Sequence, residues 1–198
     1  MVAQNGGINI ETNMIYEMLP KIFIQLIIFV GCMTSITSSS ISLEGKSFNI
    51  TKSLPVKAEK ILLSKIIMSN VITLPLMILS DLIFIIKFNS SLVDTLLIFA
   101  FTFIVPTFTA ILGLIINLKY PKMNASSDTE VVKQSMSTML SVFAGMAIFA
   151  ISTMIMIKNF ANINKILPIE LLVFSVLLVI FLVILKNYGK KRIRKIDV

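Results

Sequence analysis

The sequence has no histidine, a single cysteine and few charges of either sign. Without imidazole, histidine-based catalytic dyads and histidine metal sites are excluded. The single Cys32 permits no internal disulfide and no thiolate cluster, and reads as an ordinary buried thiol. Charged residues make up 14% of the 198, well below the roughly one quarter of a globular domain. What is present instead is apolar. Hydrophobic residues make up 56% of the chain, and the mean hydropathy is +0.93. A soluble chain of this size has too little interior to hide so much apolar surface. Water-soluble, disordered and nucleic-acid-binding classes are excluded despite a net charge of +8. The sequence describes an integral membrane protein. Abundant Ile, Lys and Asn suggest an AT-rich bacterial genome, and with it a multi-pass protein of the bacterial cell membrane.

A hydrocarbon core about 30 Å thick needs about 20 apolar residues of helix. Five stretches meet that length, at about 16–36, 66–88, 92–118, 134–157 and 168–185. The expected fold is therefore an all-α bundle of five transmembrane helices in one membrane domain over 1–198. Lys21 sits near the outer end of the first span, where its stem can snorkel. Glu11 and Glu17 stand where a signal peptide would be basic, so no cleavable signal is expected. Fourteen of the eighteen basic residues fall in the loop after the first span, the loop after the third, and the tail. This asymmetry predicts those three segments and the C-terminus in the cytoplasm, with the N-terminus outside. Ser91-x-x-Asp94 and Ser127-x-x-Glu130 read as capping boxes. Pro168 and Glu170 read as the first turn of the fifth span, where the helix dipole favours a carboxylate.

Asp81 is the acid read as well inside a span. Asn70, Thr73, Met77 and Asp81 are spaced to share one helix face, which is expected to turn into a bundle or a wet cavity. Two uses are open: a substrate or proton pathway, or an interfacial acid that is protonated or paired with Lys87, beside an amide bonded to a neighbouring span. Pro75 and Pro106 each remove a backbone bond, so kinks are expected there, with Thr102 able to satisfy freed groups. Ser137, Ser141 and Gly145 form a small-residue stripe for close helix packing.

The loop 37–65 carries the most information. Gly45-Lys46-Ser47 is not a phosphate loop: Ser40 stands where the required earlier glycine would be, and no strand precedes it. Phe48, Ile50, Leu54 and Val56 are apolar among lysines, which suits a membrane surface or a docking partner. Ser53 and Pro55 are expected to open a helix running through Ile61 into the second span.

The runs Ser40-Ile-Ser-Leu-Glu-Gly-Lys46, Lys52-Ser-Leu-Pro-Val56 and Ile61-Leu-Leu-Ser-Lys65 resemble the hallmark cytoplasmic loop of ABC-2-type transporter permeases. Lys119-Tyr-Pro-Lys122 and Glu130-Val-Val-Lys-Gln-Ser135 resemble a later loop of the same bacterial exporter subunits. The resemblance covers roughly residues 17–160 and corresponds to the C-terminal half of such permeases. It implies a permease component that couples a separate ATPase subunit to translocation. ATPase docking would fall on Ser42, Leu43, Glu44, Gly45, Lys46, Ser53, Leu54, Pro55 and Val56. It further implies no covalent chemistry and no cofactor in this chain, ATP being used by the partner. A second permease subunit, or an N-terminal half, would complete the pathway. A rival reading is a non-transporting membrane anchor, immunity or assembly protein. Peptide, lipid and drug cargoes all remain compatible.

Overall fold

A computed structural model describes residues 3–34, 36–53, 55–123 and 127–193, with side chains from residue 16 onward except those of Lys52 and Lys191. The chain is all-α, and the described residues contain no strand. Its helices are α1 (Ala3–Met33), α2 (Phe48–Ser53), α3 (Ala58–Phe88), α4 (Leu92–Lys119), α5 (Asp128–Gln134), α6 (Met136–Lys158) and α7 (Ile163–Ile193). Single 3-10 turns lie at Ile36–Ser38, Gly45–Ser47 and Phe160–Asn162. Five stretches are long and apolar enough to cross a membrane: Tyr16–Ser38, Ala58–Phe88, Leu92–Lys119, Asp128–Lys158 and Phe160–Lys190.

Helix α4 is the axis. It packs against α1, α3, α6 and α7, whereas α6 and α7 barely meet each other. Of its most apolar window 61% is buried, against 22% for the α3 span and 17% for each of the last two. Those three helices keep apolar faces outward, as helices bathed in lipid do. The α4–α7 seam is aromatic. Phe108 meets the edges of Phe174 and Phe181 at 5.9 and 5.4 Å, and Phe101 meets Phe174 at 6.3 Å. On the other side of the bundle Phe23 of α1 stacks on Phe84 of α3 at 4.0 Å.

Cap chemistry sets several boundaries. Ser91 Oγ accepts from the Asp94 N–H, and Ser127 Oγ accepts from the Glu130 N–H. Ser135 ends α5 in extended geometry and then caps α6 by accepting from the Thr138 N–H. Both α3 and α4 run unbroken through Pro75 and Pro106.

Three expectations are corrected. The second span is entered by a helix that does pass through Ile61, but it starts at Ala58 with Lys57 as its first flanking residue. Ser53 instead ends α2, donating its hydroxyl to the Ile50 carbonyl at 2.8 Å. Pro55 thus lies between two helices and does not open one. Likewise α7 begins at Ile163, which places Pro168 and Glu170 inside the helix, beyond its first turn. The turn Phe160–Asn162 feeds directly into α7, and the dipole therefore gives Glu170 no free N–H groups. Lys21, expected to reach outward, is buried at 7% exposure, and α1 extends about five turns beyond it toward the N-terminus.

The stripe Ser137, Ser141, Gly145 is buried, and Ser152 continues it. A Cβ on Gly145 would run into the Cys32 backbone carbonyl, so glycine is what lets α6 approach α1. Gly145→Val is expected to cost about 1–3 kcal/mol by overpacking. Ala147→Val, on the exposed face of the same helix, should leave stability nearly unchanged. Thermal unfolding of the two variants in detergent checks this contrast.

Candidate functional site

The first span does not simply end at the loop. After Met33 the backbone leaves the helix, yet it stays inside the bundle as a hydroxyl-rich segment beside α4. Thr37, Ser38, Ser39, Ile41 and Ser42 are all buried. Thr37 Oγ1 donates to the Ala110 carbonyl at 2.6 Å, and Ala110 lies nine residues before the end of α4 at Lys119. At 1.5 Å per residue that is about 13 Å of helix. Irregular backbone at such depth must be satisfied by protein, since lipid offers no hydrogen bonds. Gly113 makes the approach feasible: a Cβ there would fall 2.8 Å from Thr37 Oγ1 and 3.2 Å from the Ser38 amide nitrogen.

Asn117 closes this arrangement. It is fully buried and makes four hydrogen bonds. Its Oδ1 accepts from the N–H groups of Ile41 at 2.9 Å and Ser42 at 3.3 Å. Its Nδ2 donates to the hydroxyls of Ser42 at 2.8 Å and Ser137 at 3.0 Å. Ser42 Oγ in turn accepts from the Lys122 N–H at 3.0 Å. One amide thus ties together the segment after α1, the end of α4, the start of α6 and the loop between them. An amide has two donors and two acceptor sites, and here all four are used.

Above this hub the loop is compact. Phe48 is fully buried against Ile41, Leu62, Leu114 and Leu118 in one apolar cluster. Glu44 forms an ion pair with Lys65 of α3 and accepts from Thr51 Oγ1 at 3.0 Å. Gly45 adopts φ +48°, left-handed geometry that glycine tolerates and side chains resist. Of the expected docking residues, Ser42 is buried in the hub and Glu44 is held inward. Leu43, Lys46, Ser53, Pro55 and Val56 are exposed, and Leu54 lies outside the described residues. Ile50 is 69% exposed, on the face of α2 opposite Phe48. The neighbouring loop is braced by a Lys122–Glu130 ion pair at 2.6 Å.

The intramembrane acids lie elsewhere. Thr73, Met77 and Asp81 share the buried face of α3, while Asn70 sits at its flank, half-buried. Asp81 is fully buried; its Oδ2 accepts from Thr102 at 2.7 Å and its Oδ1 has no hydrogen bond among the described residues. The partner is thus α4's Thr102, not Lys87, which is exposed and lies over the Phe88 ring. Thr102 is accordingly engaged by the acid, and Thr109, one turn below Pro106, meets the carbonyls of Val105 and Gly31. Asn70 Nδ2 donates to Thr107 of α4 at 3.0 Å. Gln25 of α1 bonds Ser152 at 3.1 Å and Thr153 at 2.7 Å, and Glu170 of α7 lies beside Ser152 at 7% exposure. Asn70 and Asp81 are thus engaged at two separate points of α4.

A family model described as "Membrane protein of 12 TMs" matches residues 9–188. The chain belongs to that family. Its described residues hold five candidate spans where the family's description gives twelve. No curated protein and no solved structure matches the chain. For this family member, then, multi-span membrane character is established, and the assignment of a site rests on geometry.

Sequence reasoning missed Asn117, although a signal was present: an amide inside the apolar run 111–118, matched by the hydroxyl run Thr37–Ser42. Asn117→Leu is expected to strand the Ile41 and Ser42 N–H groups, each at about 1–3 kcal/mol. Hydrogen exchange should speed up at 38–44 by at least about tenfold, given 1.4 kcal/mol per factor of ten, while the middle of α4 stays protected.

Proposed function

We propose that this chain is the membrane-spanning permease component of an ATP-driven exporter of the ABC-2 type, coupling a separate ATPase subunit to translocation. The observation that carries this reading is the bracing of the loop. Leu43, Ile50 and Val56 stand exposed on a segment that Asn117 ties to α4 and α6 and that the Glu44–Lys65 pair ties to α3. A push on such a segment reaches α3, α4 and α6 directly through these bonds. Because α4 touches every other long helix, tilting it would repack the bundle. Apolar docking residues around a charged rim are the composition expected of a surface that seats in a partner's cleft.

In this reading the lysine asymmetry puts the loop and the C-terminus in the cytoplasm of a bacterial cell, where the ATPase resides. ATP hydrolysis belongs to the partner, and no residue of this chain performs covalent chemistry. A second permease subunit, or an N-terminal half, supplies the remaining wall of the pathway, in keeping with a family described by twelve spans. Asp81, with Thr73 and Asn70 on or beside the same face of α3, is the polar stretch past which cargo would move.

Affinity purification of the full tagged chain from its native host should recover a cytoplasmic ATP-binding-cassette ATPase. Ile50→Glu combined with Leu43→Glu should reduce that recovery about tenfold or more, as loss of anchoring interface residues does. Both positions are exposed, so the thermal unfolding midpoint should hold steady. Recovery that is unaffected by the double substitution would remove this docking surface, and no recovery by the wild-type chain would support a non-transporting membrane anchor instead.

A further inference from the structure

A cavity of about 250 Å³ lies between α3 and α7 near the loop end of the bundle. Its walls are aliphatic, formed by Leu63 of α3 and Leu182, Val183 and Leu185 of α7. Its rim carries two opposite charges, Glu59 in the first turn of α3 and Lys186 of α7, with Lys186 Nζ 4.0 Å from Glu59 Oε2. Both are partly exposed, 33% for Glu59 and 67% for Lys186, so neither is consumed by the pair. At that separation the two make an open electrostatic contact and not a close hydrogen bond. Position matters as well. Glu59 and Lys186 stand near the loop-side ends of their candidate spans, and Leu182, Val183 and Leu185 belong to the apolar run 168–185.

The geometry points to a binding site for one phospholipid with a zwitterionic phosphoethanolamine headgroup. An acyl chain fills the aliphatic cavity, the phosphate meets Lys186, and the primary ammonium meets Glu59. The carboxylate is what selects the headgroup. An anionic lipid would bring its phosphate to Lys186 but gain nothing from Glu59, which would repel further negative charge. A quaternary choline has no N–H to donate, so it forfeits the charge-assisted hydrogen bond that a primary ammonium makes. The site requires no partner ATPase.

The test uses the full chain, stripped of lipid in detergent and titrated with phosphatidylethanolamine, phosphatidylcholine or phosphatidylglycerol of identical acyl chains. Binding is read by native mass spectrometry. Phosphatidylethanolamine should bind most tightly. Glu59→Gln should weaken phosphatidylethanolamine about tenfold, the worth of one charge-assisted hydrogen bond, and bring it level with phosphatidylcholine. Lys186→Gln should weaken all three lipids. Val183→Trp, which fills the cavity from an exposed position and leaves both charges in place, should weaken them too. Equal binding of the three lipids by the wild-type chain would overturn the proposal, as would a phosphatidylethanolamine preference that survives Glu59→Gln. Stronger binding of phosphatidylglycerol would replace it with a general anionic-lipid surface, and a second copy of the chain filling the cavity would refute it.

Discussion

A backbone that leaves its helix while still inside a hydrocarbon-thick bundle has to find every hydrogen bond within the protein. The segment after Met33 faces that constraint, and the architecture around it follows from how the constraint is met. Thr37 reaches the carbonyl of Ala110, Gly113 yields the space, and Asn117 takes up the N–H groups of Ile41 and Ser42. Remove that satisfaction and no reason remains for the loop to stay inside the bundle. With it, the loop, α4 and α6 behave as one piece, because an amide held by four buried hydrogen bonds has no alternative partner to exchange for.

Central placement of α4 gives this joint its reach. The same helix receives Asp81 of α3 through Thr102, Asn70 of α3 through Thr107, Gly31 of α1 through Thr109 and the aromatic rings of α7. Hydroxyls at 102, 107 and 109 thus do between α4 and its neighbours α3 and α1 what backbone bonds do within a helix. This is a common solution in lipid, where side-chain hydrogen bonds of Ser, Thr and Asn hold helices that a hydrophobic driving force does not. The apolar seams supply packing, and the polar points set register. In the proposed function, an axis contacted by all other spans is a means of turning a push at one end into movement of the whole bundle.

Much of this was legible in the chain. The long apolar runs placed five spans, the Ser91 and Ser127 motifs placed two helix starts, and the stripe Ser137, Ser141, Gly145 marked a face that lies buried in the structure. Other features were misread for identifiable reasons. Pro168 and Glu170 carry the composition of a helix start, but the turn Phe160–Asn162 lets α7 begin earlier, and Glu170 is buried beside Ser152. Asp81 has Lys87 within two turns of sequence, yet Thr102 lies across the interface and is the residue it meets. Asn117 drew no notice, since one amide near a span's end is ordinary until its four partners converge on it.

The membrane class and the number of spans were determined by the sequence alone, because hydrocarbon thickness sets how many consecutive apolar residues a helix needs. Span ends were less firmly set, since caps and prolines act through local geometry that neighbouring turns can override. What only the tertiary structure decided is the pairing of polar groups across helices: Asp81 with Thr102, Asn117 with Ser42 and Ser137, Glu44 with Lys65. The sequence states that such groups must be satisfied. Which partner satisfies them depends on the rotation and depth of each helix against α4, and those are products of packing among residues far apart in the chain.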